Sequence, residues 1–158
     1  MTKPADDHSW GSTAFLLAQV GAYAAEAFRA RVSSLELTPA QAGLLRMLAR
    51  TPGRPQRAYA TYLGMPPSRF VTMVDALEER GVLERRRGTD DRRANELHLT
   101  PTGHRLMREL AAVARSHEGD MLAPLKPSEQ RGLRELLVRV AEAQGLTPGA
   151  HPGYRAKP

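Results

Sequence analysis

Arginine side chains concentrate in one short stretch of this 158-residue chain, where five of them fall within nine residues. Guanidinium groups form paired hydrogen bonds with phosphate oxygens and with guanine edges, so such a cluster favours contact with nucleic acid. The composition of the whole chain also favours an anionic partner, because 23 Lys and Arg residues against 17 Asp and Glu residues give a net charge of +6. The expected partner is therefore anionic, either a nucleic acid or a membrane surface. The clustered residues are Arg85, Arg86, Arg87, Arg92 and Arg93.

Patterns for catalysis and for metal binding are missing from the sequence. The chain has no cysteine, which excludes disulfides, thiolate zinc sites and iron–sulfur clusters. Ser9, Ser12 and Ser68 lack the G-x-S-x-G context of a nucleophile, and no glycine-rich phosphate loop occurs. The histidines form no HExxH or other close ligand pair, which leaves open only a zinc ion shared across a dimer. We therefore expect no metal, no cofactor and no enzyme activity. The histidines are His8, His98, His104, His117 and His151.

No targeting or membrane segment is predicted. The first residues, Met1 to Trp10, contain Asp6, Asp7 and His8 and lack the basic start and apolar centre of a signal peptide. No apolar run approaches the roughly 20 residues that a membrane span requires. Together with the lack of cysteine, these features predict a soluble, cytoplasmic protein without membrane contact.

The elements that must position the arginines are mainly helical. Apolar residues recur at three- and four-residue intervals from Thr13 to about Leu35, as in an amphipathic helix. Thr38-Pro39-Ala40-Gln41 then provides an N-cap hydroxyl, a proline at the first helical position and a capping-box glutamine. The second helix must end at Thr51-Pro52-Gly53-Arg54-Pro55, because two prolines and a glycine cannot continue it.

Two short helices with a tight turn between them are predicted next. The first runs from Gln56 to Tyr62 and stops at Gly64, and Pro66 or Pro67 opens the second. Apolar residues of the second helix recur at i, i+3, i+4 and i+7, and Gly81 ends it. This arrangement matches a helix-turn-helix. The apolar residues are Phe70, Met73, Val74 and Leu77, and the residues on the opposite side include Ser68, Arg69 and Thr72.

The arginine cluster falls in a predicted β-hairpin. Val82 to Arg87 and Asn95 to Leu99 alternate in polarity as half-buried strands do, and residues 88–93 supply a glycine and turn-forming aspartates. Arg85 and Arg87 share one strand face and Arg86 the other, so the three cannot contact a ligand equally. A helix-turn-helix followed directly by a hairpin is a winged helix. Asp91 is expected to orient a guanidinium and to fix the turn.

Two further helices complete the predicted chain. Thr100-Pro101 opens a helix that runs to about Ala123, and the last helix covers about Ser128 to Gln144. From Gly145 onward the sequence is rich in glycine and proline, which predicts a flexible tail. The expected fold class is mainly α, with a winged helix-turn-helix and long N- and C-terminal helices.

The order and spacing of several segments resemble the MarR family of winged-helix transcription regulators. The resemblance extends from about residue 13 to residue 144, and it implies a homodimer that binds a pseudo-palindromic operator in double-stranded DNA. In this family the DNA complex is often released by a small aromatic or anionic ligand. The resembling segments are Leu37-Thr38-Pro39-Ala40-Gln41, Leu63-Gly64-Met65-Pro66-Pro67-Ser68, Val74 to Leu83, Asp91-Arg92-Arg93-Ala94 and Leu99-Thr100-Pro101-Thr102-Gly103.

The chain departs from the family pattern in four places, one of them in the hairpin tip, where Gly88-Thr89-Asp90 replaces an acidic-x-Arg segment. The other three are single positions. Pro66 stands where a Ser or Thr usually caps the recognition helix, and Thr72 stands where many members carry Arg. Lys126 replaces the usual hydroxyl cap before Pro127. Pro66 and Thr72 leave the base preference open, and Lys126 predicts a modest loss of helix capping.

The resemblance also implies a division of the chain. Residues 1–12 and 145–158 are expected to be flexible tails around a single domain, 13–144. Within it, 13–36 and 101–144 would be dimerisation helices, and 38–100 would be the DNA-binding lobe.

Side chains for DNA contact follow from the winged helix. A helix fits the major groove, and its N-terminal residues reach base edges, so Ser68, Arg69 and Thr72 are the expected readers. Arg92 and Arg93 at the hairpin tip are expected to enter the minor groove, where the negative potential is deepest. Arg57 and Arg80 are expected to be phosphate contacts or ordinary surface residues. The alternative for all of these is a solvated polar face without a ligand.

A ligand pocket is implied by the resemblance alone, between the first helix, the second helix and the start of the post-hairpin helix. Trp10, Tyr23, Arg46 and His104 are candidates for its aromatic walls and anion donors. Each also has a purely structural interpretation as a core or solvent-facing residue. Two rival functions remain at this point: a winged helix that binds an acidic protein, and a DNA-binding protein without a ligand.

Overall fold

A computed structural model of the chain describes residues 10–88, 94–151 and 154. These residues form six helices and one two-stranded antiparallel sheet, which confirms the mainly α fold class. None of the helices in the described ranges is long and apolar enough to cross a membrane. In chain order the elements are α1 (Thr13–Ser33), α2 (Pro39–Arg50), α3 (Gln56–Leu63), α4 (Pro67–Glu79), β1 (Leu83–Arg87), β2 (Asn95–Leu99), α5 (Pro101–Leu122) and α6 (Pro127–Ala143).

The predicted helix caps are present. At the start of α2, the Thr38 hydroxyl accepts the Gln41 N–H at 3.2 Å, and the Gln41 side chain accepts the Thr38 N–H at 2.8 Å. This reciprocal pair satisfies two backbone donors that the helix leaves unpaired. At α6 only half of the box exists, because the Lys126 side chain has no acceptor atom while Glu129 accepts the Lys126 N–H at 2.7 Å. Glu129 thus partly compensates for the side-chain cap that Lys126 cannot provide.

The core lies beneath the helix-turn-helix and the hairpin. It is built mainly from leucine side chains of α2, α3, α4 and the two strands, and Tyr59 is its largest fully buried residue. The Tyr59 hydroxyl donates to the Thr51 carbonyl at 2.5 Å and accepts the Arg54 N–H at 3.3 Å. Burial raises the pKa of Tyr59 above its usual range. These two bonds fix the loop between α2 and α3, and with it the start of the helix-turn-helix.

The hairpin has the predicted strands in a defined register. Leu83 pairs with Leu99, Arg85 with Leu97, and Arg87 with Asn95. Leu83, Leu97 and Leu99 are buried, so this register places one strand face on the core. The hairpin therefore packs on the core, with β1 next to α4.

Helix α1 packs on α5 and also contributes the fully buried Val32 to the core. The Arg31 guanidinium donates to the Ser116 hydroxyl at 3.2 Å and to the Asp120 carboxylate at 2.7 Å. One turn away, the rings of Phe28 and His117 lie 5.5 Å apart. Burial lowers the pKa of the His117 imidazole, and the Arg31 charge adds to this effect.

The C-terminal residues differ from the predicted flexible tail. Residues 146–151 return toward α2, and Tyr154 is only 8% exposed within the core cluster. The physical reason is a matching surface: the Tyr154 ring lies over Gly43 of α2, where no side chain blocks it. The prediction of a free tail from residue 145 was wrong for the described part of this segment.

Candidate nucleic-acid interface

The recognition helix α4 is held by its inner face and presents its outer face to solvent. Phe70, Val74 and Leu77 are fully buried and pin the helix to the core. Ser68, Arg69 and Thr72 are all exposed in its first two turns. The helix begins at Pro67 after Pro66, which offers no side-chain cap. The structure therefore brings the three predicted base-reading residues together on one exposed surface.

Hydrogen bonding leaves these side chains available. The Thr72 hydroxyl donates to the Ser68 carbonyl at 3.1 Å, and its oxygen can still accept a bond from a base amino group. The exposed fraction of Val71 is 39%, and it borders the same outer face. Sequence analysis missed Val71, although its position off the buried i, i+3, i+4, i+7 stripe was a usable signal. An exposed Val methyl can contact the methyl group of thymine.

Arg85 has a different role from the one its sequence position suggests. Its guanidinium binds Asp75 at 2.5 Å and also binds Glu78, both on α4, and it donates to Gln56 of α3 at 3.0 Å. The Glu78 carboxylate in addition accepts the Arg85 backbone N–H at 3.0 Å. Arg85 is thus an intramolecular clamp between the hairpin, α3 and the recognition helix.

We expect the Arg85→Met variant to bind duplex DNA about tenfold more weakly, because it leaves Asp75 and Glu78 unpaired beside the phosphate-facing surface. Stability should fall by only about 1 kcal/mol, since both carboxylates are partly exposed. Equilibrium binding and thermal unfolding would measure the two effects. Arg86→Met is the matched control, because Arg86, as far as the described residues show, pairs with Glu84 of its own strand and not with α3 or α4. Equal losses for both variants would contradict the clamp.

The hairpin tip lies outside the described residues, and with it Arg92, Arg93 and Asp91. Its base is closed by a hydrogen bond from the Gly88 N–H to the Ala94 carbonyl at 2.9 Å. Arg87, the last residue of β1, is exposed next to this base.

Two further arginines, Arg57 and Arg80, are candidates for phosphate contacts. Arg57 is exposed in the first turn of α3, as such a contact requires. The Arg80 guanidinium instead donates to the Glu36 carbonyl at 2.6 Å and to the Leu35 carbonyl at 3.2 Å. Glu36 has a positive φ of 53°, so Arg80 stabilises a strained turn after α1. The phosphate interpretation of Arg80 has no support in this geometry.

The four residues suggested for a ligand pocket are not brought together. Trp10 and Tyr23 are 62% and 67% exposed on the α1 side, and His104 is exposed in the first turn of α5. Arg46 donates to the Gly149 carbonyl at 2.6 Å. None of the four lines a cavity of about 280 Å³ that opens between α1, the start of α2 and the C-terminal residues. That cavity is bordered by Ala22, Ala25, Glu26, Phe28, Arg29, Pro39, His151 and Tyr154.

The long helices carry apolar side chains that the described part of the chain leaves exposed. On α1 these include Phe15 and Val20, and α6 has no buried residue at all. A second cavity of about 780 Å³ lies between the end of α5, α6 and residues 146–150. Exposed apolar surface of this extent is typical of a protein interface. The exposed large apolar residues of α6 are Leu136, Leu137, Val138 and Val140.

Comparison with known proteins agrees with this geometry. A model of the MarR family matches residues 35–94. The HTH-type transcriptional repressor Rv2887 of Mycobacterium tuberculosis is 30% identical over 136 residues, which cover 86% of this chain and 96% of the repressor.

Two solved structures are similar over most of the chain. The transcriptional repressor CouR, bound to a 23-mer DNA duplex, has a TM-score of 0.75 and 30% identity, covering 89% of this chain and 99% of CouR. Rv2887 of M. tuberculosis in complex with salicylic acid has a TM-score of 0.66 and 28% identity, covering 82% of this chain and 96% of that protein. The extent of these similarities shows that the chain belongs to the MarR family of winged-helix transcription regulators.

Proposed function

We propose that the protein is a transcriptional repressor that binds duplex DNA as a homodimer in the cytoplasm and performs no chemistry of its own. The observation that carries this proposal is the outer face of α4, where Ser68, Arg69 and Thr72 are exposed beside an arginine-bearing hairpin. The helix would enter the major groove and the hairpin tip, with Arg92 and Arg93, the adjacent minor groove. Arg57 would contact phosphate. The DNA-bound structure of CouR supports the same assignment.

The dimer is proposed from the uncovered apolar surfaces of α1 and α6. Pairing these helices with their copies would bury side chains that water otherwise surrounds. It would also place two recognition helices on one side of the assembly, as a pseudo-palindromic operator requires.

We expect Val140→Glu to convert the dimer into a monomer, because it places a charge on the 47% exposed Val140 of the proposed interface. Light scattering after size-exclusion chromatography would measure the mass. Val71→Glu is the matched control, since Val71 is similarly exposed on α4 and should leave the dimer intact. A dimeric Val140→Glu protein would place the interface elsewhere.

A small aromatic acid is the proposed effector, and the cavity of about 280 Å³ is its proposed site. The apolar walls Ala22, Ala25 and Phe28 suit a single ring. Arg29 and His151 lie at the border, where a ligand carboxylate would compete with Glu26, which accepts a hydrogen bond from the Arg29 guanidinium at 2.8 Å. The salicylic acid complex of Rv2887 supports this ligand class. Binding would change the angle between the dimer helices and the lobes, and would thereby alter the spacing of the recognition helices.

Nuclease protection of the gene's own upstream region tests the proposed function. A repressor of this kind should protect two adjacent half-sites, and added salicylate should remove the protection. An acidic protein partner, the rival function, predicts no protected region at any protein concentration. Protection that no aromatic acid removes would leave the DNA-binding assignment intact and contradict the effector.

A further inference from the structure

After α6 the chain turns back across the helix-turn-helix lobe. Gly145 has a left-handed conformation with φ 64°, and the Leu146 N–H donates to the Ala141 carbonyl at 3.0 Å, which ends the helix. The following residues, 146–151 together with Tyr154, are called the C-terminal strap below. The strap begins at a proposed dimerisation helix and ends on the proposed DNA-binding lobe.

Two side chains of the lobe hold the strap by its backbone. Arg46 of α2 donates to the Gly149 carbonyl at 2.6 Å, and the Tyr62 hydroxyl of α3 donates to the Pro148 carbonyl. Both donors come from the helices that carry α4. The strap is therefore tied to the recognition unit itself.

The Tyr154 ring is the anchor of the strap. A Cβ atom at Gly43 would come within 2.8 Å of the ring, so the ring occupies the space that a side chain on α2 would take. Burial raises the pKa of the Tyr154 hydroxyl. The same ring borders the cavity against Ala25 and Phe28 of α1. Tyr154 thus lies where a dimerisation helix, the lobe and the strap meet.

We propose that Tyr154 is a positioning residue for operator recognition: through the strap it fixes α2 and α3, and hence α4, relative to the end of α6. This inference rests on the proposed DNA-binding function. With the strap attached, the two recognition helices of a dimer are held at one separation, and only operators with the matching half-site spacing bind tightly. With the strap detached, each lobe can rotate, and the spacing requirement relaxes.

A double-mutant cycle tests the contact without DNA. In the wild-type background, Gly43→Ala should lower Tm by about 2 to 8 °C, because the new methyl group collides with the ring. In the Tyr154→Ala background the same change should leave Tm unchanged or raise it, since alanine is the better helix former. An equal drop in both backgrounds would overturn the ring contact.

Operator spacing tests the positioning role, with full-length protein and two duplexes that differ by one base pair inserted between the half-sites. The wild type should prefer the native spacing, and Tyr154→Ala should reduce that preference about 3- to 30-fold. Tyr154→Phe keeps the ring and should restore it. A Tyr154→Ala protein with lower Tm but full spacing preference would show a purely structural role and overturn the proposal. Absence of DNA binding by the wild type would instead reject the proposed function, while the thermal cycle would still report on the strap.

Discussion

Arg69→Ala should weaken binding to the native operator by about 10- to 100-fold, which is the contribution of one bidentate contact between arginine and guanine. Arg69 is exposed in the first turn of α4, where a recognition helix approaches base edges. Because the contact reads a base, the loss should be largest on the native sequence and small on unrelated DNA. The variant should therefore lose sequence preference more than general affinity. Competition binding with the two kinds of duplex would measure both quantities.

Arg115→Ala is the matched control for this prediction, since Arg115 is equally an exposed arginine but lies on α5. It should retain wild-type affinity and preference. A uniform loss on all duplexes in Arg69→Ala would indicate a phosphate contact instead of base reading.

Gly103→Ala should destabilise the fold by about 3 kcal/mol or more, because an added Cβ would overlap the backbone carbonyl oxygen of Val82. Backbone atoms cannot move aside as a flexible side chain can. Thr100 anchors the same region through its hydroxyl, which donates to the Gly81 carbonyl at 2.5 Å. The substitution would therefore push α5 away from the base of the hairpin. Thermal unfolding should show a drop in Tm of about 6 to 12 °C.

The control for Gly103→Ala is the same substitution in the same helix. A Cβ at Gly119 meets nothing within 4 Å, so Gly119→Ala should be neutral or should stabilise the protein by up to about 1 kcal/mol. If the two variants unfolded at the same temperature, the close packing of α5 against the hairpin would be refuted.

Elements with local signals could be predicted from the sequence. Thr38 and Gln41 satisfy each other's backbone groups within one turn, so the start of α2 is encoded by four adjacent residues. Gly64 and Gly81 both have a φ of 64°, and the left-handed conformation that ends each helix favours glycine. The spacing of the apolar residues in α4 was sufficient to predict which of its side chains are exposed. Local chemistry thus specified the helix-turn-helix and the face that it presents.

Contacts between distant segments could not be predicted in this way. Arg85 of β1 binds Asp75 and Glu78, which lie on α4. The three side chains come within reach of one another because the hairpin packs beside that helix. Arg80 likewise binds carbonyl groups of Leu35 and Glu36, which no periodicity connects to it. Both arginines contribute positive charge to the sequence total. In the fold, carboxylates neutralise the charge of Arg85, and backbone carbonyl groups take up the hydrogen-bond donors of Arg80.

The C-terminal strap was missed because Tyr154 is a single aromatic residue in a segment rich in glycine and proline, where no periodic pattern marks a core position. The residue that Tyr154 contacts did provide a sequence signal. Gly43 lies inside α2, where glycine costs about 1 kcal/mol relative to alanine. A glycine retained at such a position indicates a close approach by another group. Gly103 in α5 gave the same signal for the hairpin.

Dimethyl sulfate probing of the upstream DNA is the most direct test of the central claim that α4 reads the major groove. This reagent methylates guanine N7, an atom that faces the major groove. The wild-type dimer should protect guanines in two clusters about 10 to 10.5 base pairs apart, or a multiple of this distance, and Arg69→Ala should lose that protection. Nuclease protection of the same DNA without any change at guanine N7 would contradict the account.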